Sequence, residues 1–130
     1  MGGGINNNGT LFELTPTGNG WTERVLHSFT GGNDGLEPTA GLVADPAGNL
    51  YGTTEGGGGG AGCSLGCGTV YKLASLGDDN WTESVLYAFN SGTDGSYPVA
   101  GIIMDSTGHL YGTTSRGGAY DFGTVFEITP

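Results

Sequence analysis

The chain has 130 residues, room for one domain, and 29 of them are glycine, far above the usual ~7%. Three Lys+Arg face 13 Asp+Glu, and the formal net charge of −10 repels phosphates, which excludes nucleic acid and an anionic membrane surface as natural partners. No apolar run approaches the ~18 residues of a membrane span, and Met1-Gly2-Gly3-Gly4 lacks the basic and apolar regions of a signal peptide.

No window carries apolar residues at i, i+3, i+4 and i+7. Short β-type runs follow one another instead. The pattern predicts nine strands, at 9–15, 21–29, 40–45, 49–54, 68–74, 81–89, 100–105, 109–114 and 123–129. Between them lie turn residues. Asp45-Pro46-Ala47-Gly48 and Asp105-Ser106-Thr107-Gly108 place Asp first and Gly last, as a type I turn with a glycine bulge requires. Asn33-Asp34-Gly35 and Thr93-Asp94-Gly95 mark a second connection, and Thr17-Gly18-Asn19-Gly20 and residues 76–80 a third. The glycine cluster at 56–60 reads as a mobile loop.

The runs repeat. Residues 38–54 return as 98–114, and Trp21/Trp81, Phe29/Phe89 and Asp34/Asp94 share the sixty-residue offset. Residues 9–16 match 68–75 and, better, 123–130, and the lead-in 3–8 lines up with 117–122. One period holds four strands, which we label a, b, c and d, and the chain reads c-d-a-b-c-d-a-b-c. Four antiparallel strands per repeat predict an all-β fold of β-propeller blades. Residues 9–29 are strands c-d of a partial blade, 38–89 a complete blade, and 98–130 strands a-b-c of the next, all within a single repeat domain 1–130. The strands are apolar on both faces, as a blade between two blades requires. Because Met1 directly precedes repeat sequence, the chain reads as an excised or engineered piece of a longer array.

Chemistry is sparse. Cys63 and Cys67, the only cysteines, lie in the one loop that is longer than its counterpart, by five residues; a local disulfide closing this insertion is the reading for an exported chain. Asp34, Asp94, Asp45 and Asp105 recur in turns and are weak calcium candidates, although turn formation already accounts for each. Trp21 and Trp81 open the d strands and Tyr51 and Tyr111 lie in the b strands; they suit packing between blades and are the possible contacts for a glycan. His27 aligns with Tyr87 and His109 with Asn49, so neither histidine recurs. The sequence shows no catalytic constellation, no phosphate-cradling loop and no cofactor motif.

The ordered motifs Phe-x-x-Gly-x-Asp-Gly-x-x-Pro, Asp-x-x-Gly-Asn/His-Leu-Tyr-Gly-Thr-Thr and Gly-Thr-Val-Phe-Glu-Ile-Thr-Pro resemble the GloVer (Gloeo_Verruco) tandem repeat over the whole chain. They are also similar to the NHL-type blade. The resemblance implies a propeller, bacterial proteins of the extracellular cell surface, and no enzymatic activity or cofactor. It leaves a non-catalytic scaffold or interaction module, or alternatively a lectin-like propeller with one shallow glycan site per blade. Propellers close with roughly four to eight blades, so a chain of two is expected to complete its ring as a homo-oligomer, three copies favoured over four. The end faces are expected to carry Val25, Leu26, Val70, Tyr71, Val125 and Phe126. Strand 21–29 is expected to pair with 123–129 of a neighbour, in competition with the chain's own residues 9–15.

Overall fold

The computed structural model describes residues 3–129. Among these described residues nine strands run in the order β1 Thr10–Thr17, β2 Gly20–Ser28, β3 Val43–Ala44, β4 Leu50–Thr54, β5 Thr69–Gly77, β6 Asn80–Ala88, β7 Ile103–Met104, β8 Leu110–Thr113 and β9 Val125–Ile128, with one 3₁₀ turn at Gly92–Asp94. The fold is all-β. Three antiparallel sheets form, in the orders β1-β2, β3-β4-β5-β6 and β7-β8-β9. Neighbours in each sheet are neighbours in sequence, so every sheet is a meander built from local turns.

Those turns follow from their residues. Gly48 and Gly108 adopt φ of 85° and 92°, and their amides donate to the carbonyls of Asp45 and Asp105 at 3.0 and 3.2 Å. Asp78 and Asp79, with φ of 48° and 65°, give the β5–β6 hairpin the left-handed pair that matches strand twist. Both long hairpins slip at the same place, between Leu11 and Phe12 and between the equivalent Val70 and Tyr71, and β5–β6 slips again between Ser75 and Gly77. The a runs are shorter than their sequence predicts. β7 pairs over two residues, and upstream of it the Ala100 carbonyl accepts a hydrogen bond from Thr53 Oγ1 of the preceding sheet at 3.2 Å.

Two apolar cores lie between successive sheets. Leu11, Phe29, Tyr71 and Leu73 form the first, with Leu26, Leu50 and Trp81 against them. Tyr51, Cys67, Val70, Phe89, Ile102 and Leu110 form the second, joined by Phe126 and Ile128. Their geometry repeats. The Phe29 and Tyr71 rings meet edge-on with centroids 5.3 Å apart, and Phe89 and Phe126 do so at 5.2 Å. β5 thus faces the first sheet with Tyr71 and Leu73 and the third with Val70. Gly52 and Gly112 make this possible: a Cβ on either would sit 2.5 Å from Tyr71 Oη or 2.4 Å from Phe126 Cζ. The aromatic of strand c lies over the bare glycine of strand b.

The b–c loops share one closure. Gly9 N donates to Gly3 O at 3.1 Å, Gly123 N to Gly117 O at 2.9 Å, and Gly68 N to Gly57 O at 3.2 Å, so the five-residue insertion bulges outward without disturbing the loop's ends. Residues 56–60 are packed in part, with Gly58 half-buried and Gly59 exposed. Gly56, Gly57 and Gly60 are buried, and a Cβ on Gly57 would lie 2.4 Å from Gly35 Cα. Only glycine lets the two backbones approach so closely.

The end faces also differ from expectation. Val70 and Tyr71 are interior, Leu26 packs on the first core, and Phe126 is partly covered by the second. Val25 on the first sheet and Val125 on the third are exposed as expected, and Phe12, Leu14 and Trp21 on the first sheet and Ile103 on the third are exposed with them.

Candidate functional site

Antiparallel connectivity places the a–b and c–d turns at one end of the sheets and the b–c and d–a loops at the other. The two a–b turns stand side by side and enclose a cleft of about 340 Å³, lined among others by Asp45, Tyr51, Met104, Asp105, His109 and Thr129.

Each turn is organised by its aspartate. Asp45 accepts hydrogen bonds from Asn49 N at 2.9 Å, Asn49 Nδ2 at 2.7 Å and Tyr51 Oη at 3.0 Å. The Asn49 side-chain amide above all lowers the Asp45 carboxyl below its usual range, against partial desolvation. Asp105 accepts from Thr107 Oγ1 at 2.7 Å, Thr107 N at 2.8 Å, His109 N at 3.0 Å and Tyr111 Oη at 3.2 Å. The Thr107 hydroxyl leads in holding this carboxyl well below the ordinary range. His109 Nδ1 lies 3.3 Å from Asp105 and 3.6 Å from Glu127, where the other repeat has Asn49.

Asp34 and Asp94 sit at the opposite end. Asp34 accepts from the Thr30 amide at 2.8 Å and the Thr30 hydroxyl, with His27 Nε2 at 3.5 Å; Asp94 accepts from the Asn90 amide at 2.7 Å and from the Tyr87 hydroxyl. Burial pushes the Asp34 carboxyl up, but its hydrogen bonds from Thr30, with the His27 ring close by, bring it net below the usual value. His27 thus stands beside Asp34 at the position from which Tyr87 donates to Asp94. The four aspartates divide into two pairs with their oxygens directed at turn donors, and among the described residues no three His, Cys, Asp or Glu side chains gather to hold a metal.

The aromatic candidates do not converge. Tyr51 is buried in the second core with Lys72 Nζ 5.6 Å from its ring centroid. Trp81 packs on the first core, Tyr111 binds Asp105, and Trp21 stands exposed on the outer face. Cys63 and Cys67 are joined as a disulfide.

Sequence reading missed two features. One is a threonine clasp across each b–c loop: Thr54 and Thr69 hydroxyls lie 2.7 Å apart, and Thr114 and Thr124 2.8 Å apart. The recurring Gly-Thr-Thr and Gly-Thr dipeptides were its signal. The other is Glu83, turned toward the first sheet on β6, whose carboxyl is pushed up to about 7 by desolvation and by the charge of Asp34. Nothing in the repeat pattern marks it, since Glu23 occupies the same position on an outer face.

Fold and site together define an all-β tandem-repeat protein whose recurring polar residues serve its turns. The Gloeobacter/Verrucomicrobia repeat model matches residues 1–130, and the chain belongs to that family. The match does not extend to the NHL-type blade. No curated protein and no solved structure matches the chain.

Proposed function

We propose that this chain is a non-catalytic β-propeller scaffold: its sheets are blades, and copies join into a ring whose loops form a recognition surface in an extracellular setting. The observation that carries this reading is the repeated core. The d-strand phenylalanine of one sheet meets the c-strand aromatic of the next in the same geometry twice, at 5.3 and 5.2 Å. A stacking rule that operates twice in succession extends to further units of the same repeat. Apolar outer faces support extension, because isolated faces of this kind are rare on monomers.

Three copies give six blades and four give eight. Electron microscopy of the purified 130-residue chain tests this: class averages of a closed disc are expected, and an open stack or a single 130-residue particle would overturn it. The cleft between the a–b turns supports a second, lectin-like reading, because its carboxylates suit a hydroxyl-rich ligand. A glycan array at millimolar sugar density checks it, with binding lost in Asp105→Ala expected and an empty array against it.

A further inference from the structure

We infer that the contact between the first and second sheets is a proton-operated latch: Glu83 of β6 lies in it as a neutral acid, and loss of its proton loosens β2 from β6 while each hairpin stays intact.

The placement follows from the ladder. Glu83 stands directly opposite Leu73 on β5, and Trp81 opposite Ser75. Directly paired side chains share a face, so Glu83 projects on the side where Tyr71 and Leu73, both fully buried, meet the first sheet. β2 packs there against β6. His27 of β2 is paired with Leu11, which belongs to the same core. A carboxyl is thus set among apolar side chains at a seam between two sheets.

The seam leaves it unpartnered. Buried side-chain polar atoms without a hydrogen bond are Arg24 Nε and His27 Nε2 on β2, Tyr71 Oη on β5, and Trp81 Nε1 and Glu83 Oε1 on β6. Among the described residues, all of these orphans belong to this one seam. Charge is uncompensated as well. Arg24 is the seam's cation, and its guanidinium is committed to Glu13 of β1, at 2.9 Å, and to Asp79 of the β5–β6 turn. Lys72 lies over the Tyr51 ring, on the side of the second core. His27 Nε2 is 3.5 Å from Asp34, and Asp34, whose carboxyl stays below its usual range despite burial, remains charged. An ionised Glu83 therefore meets the Asp34 charge with no free cation, in a place that strips its hydration. Burial and then Asp34 accordingly push its carboxyl up to about 7.

Ionisation favours the arrangement that returns the carboxyl to water. The hairpins need not melt for this, because their ladders run within each sheet and not across the seam. An open seam releases the proton near the ordinary glutamate value, so the latch is closed at low pH and loosens as pH rises from about 5 to 7.

The test follows Trp81, which packs in the seam, in the full chain carrying Trp21→Phe; Trp21 is 68% exposed and would otherwise mask it. Acrylamide quenching of the indole is measured from about pH 4.5 to 8.5, beside far-ultraviolet circular dichroism. Quenching is expected to rise about twofold or more between roughly pH 5 and 7 while the circular dichroism is unchanged. Glu83→Gln should hold quenching at its low-pH level throughout, and Asp34→Asn should make the rise end at lower pH. Histidines commonly titrate in the same range, so His27→Gln is the control and should leave the rise in place. Carboxyl-carbon NMR of the glutamate-labelled chain reads the group without any substitution, and a protonated glutamate is expected to persist at about pH 6. Quenching that stays flat, a rise that survives Glu83→Gln or vanishes in His27→Gln, a rise that comes only with loss of the strand signal, or an NMR spectrum with every glutamate ionised at about pH 6 would overturn the latch.

Discussion

Gly52→Ala isolates the packing device on which both cores depend. Gly52 needs no left-handed backbone, so alanine is conformationally permitted there and its only burden is steric. The added methyl would lie 2.5 Å from Tyr71 Oη, 2.8 Å from Tyr71 Cζ and 2.8 Å from Leu42 Cδ2. Tyr71 is fully buried between two sheets and has no room to swing aside. Overpacking of this kind costs about 1–3 kcal/mol, set against roughly 0.5–1 kcal/mol gained by restricting the unfolded chain. The net is a loss of about 1–2 kcal/mol, which for a domain of this size lowers Tm by roughly 3–10 °C. Gly20→Ala, with nothing within 4 Å of the new carbon, is the control and should leave Tm unchanged or slightly raised. Because the obstructing atom is the phenolic oxygen, adding Tyr71→Phe to Gly52→Ala should restore part of the loss. Thermal melts followed by near-ultraviolet circular dichroism measure all four proteins. A Gly52→Ala melt indistinguishable from that of Gly20→Ala would refute the argument that strand b is glycine to receive the aromatic of strand c.

Glu83 sets a pH dependence. Its carboxyl is raised to about 7 by desolvation and then Asp34, so the folded state holds a proton that the unfolded state releases near its ordinary value. Stability contributed by this group is therefore present at low pH and falls as pH rises from about 5 to 7, by roughly 1 kcal/mol once solvent screening is allowed for. Glu83→Gln should flatten urea-derived stability across that window, and an unchanged slope would count against it. The Cys63–Cys67 bridge closes a short loop whose ends are already held by the Gly57–Gly68 hydrogen bond, so Cys63→Ser with Cys67→Ser should lower Tm by only a few degrees and keep the oligomeric state. Loss of folding in that variant would contradict it.

Much of the fold was legible because the repeat states it more than once. Two copies of Asp-x-x-Gly located the a–b turns, and the offset between Trp21 and Trp81 located the d strands. The outer faces were legible only in part, at Val25 and Val125, for a definite reason. The ladder slips between Val70 and Tyr71 and between Leu11 and Phe12, and a slip of one residue changes which side chains share a face. Val25 and Leu26 could not be assigned to opposite sides from alternation alone. Residues 56–60 resemble a linker in composition, whereas their packing depends on Gly35, distant in sequence, and on Leu65 farther along the same loop. The recurring aspartates were legible as turn formers, and the structure gives them that role in every repeat. Glu83 and the threonine clasps depend on contacts between strands or sheets, which a single strand pattern does not contain.

The central claim is that the two outer faces of this chain belong to one another. Native mass spectrometry of the 130-residue chain, sprayed from micromolar solution, tests it most directly. The account predicts a single closed species of three chains, or of four, with no ladder of larger assemblies. A chain that remains monomeric at that concentration with a cooperative melt, or that grows without limit, would contradict it.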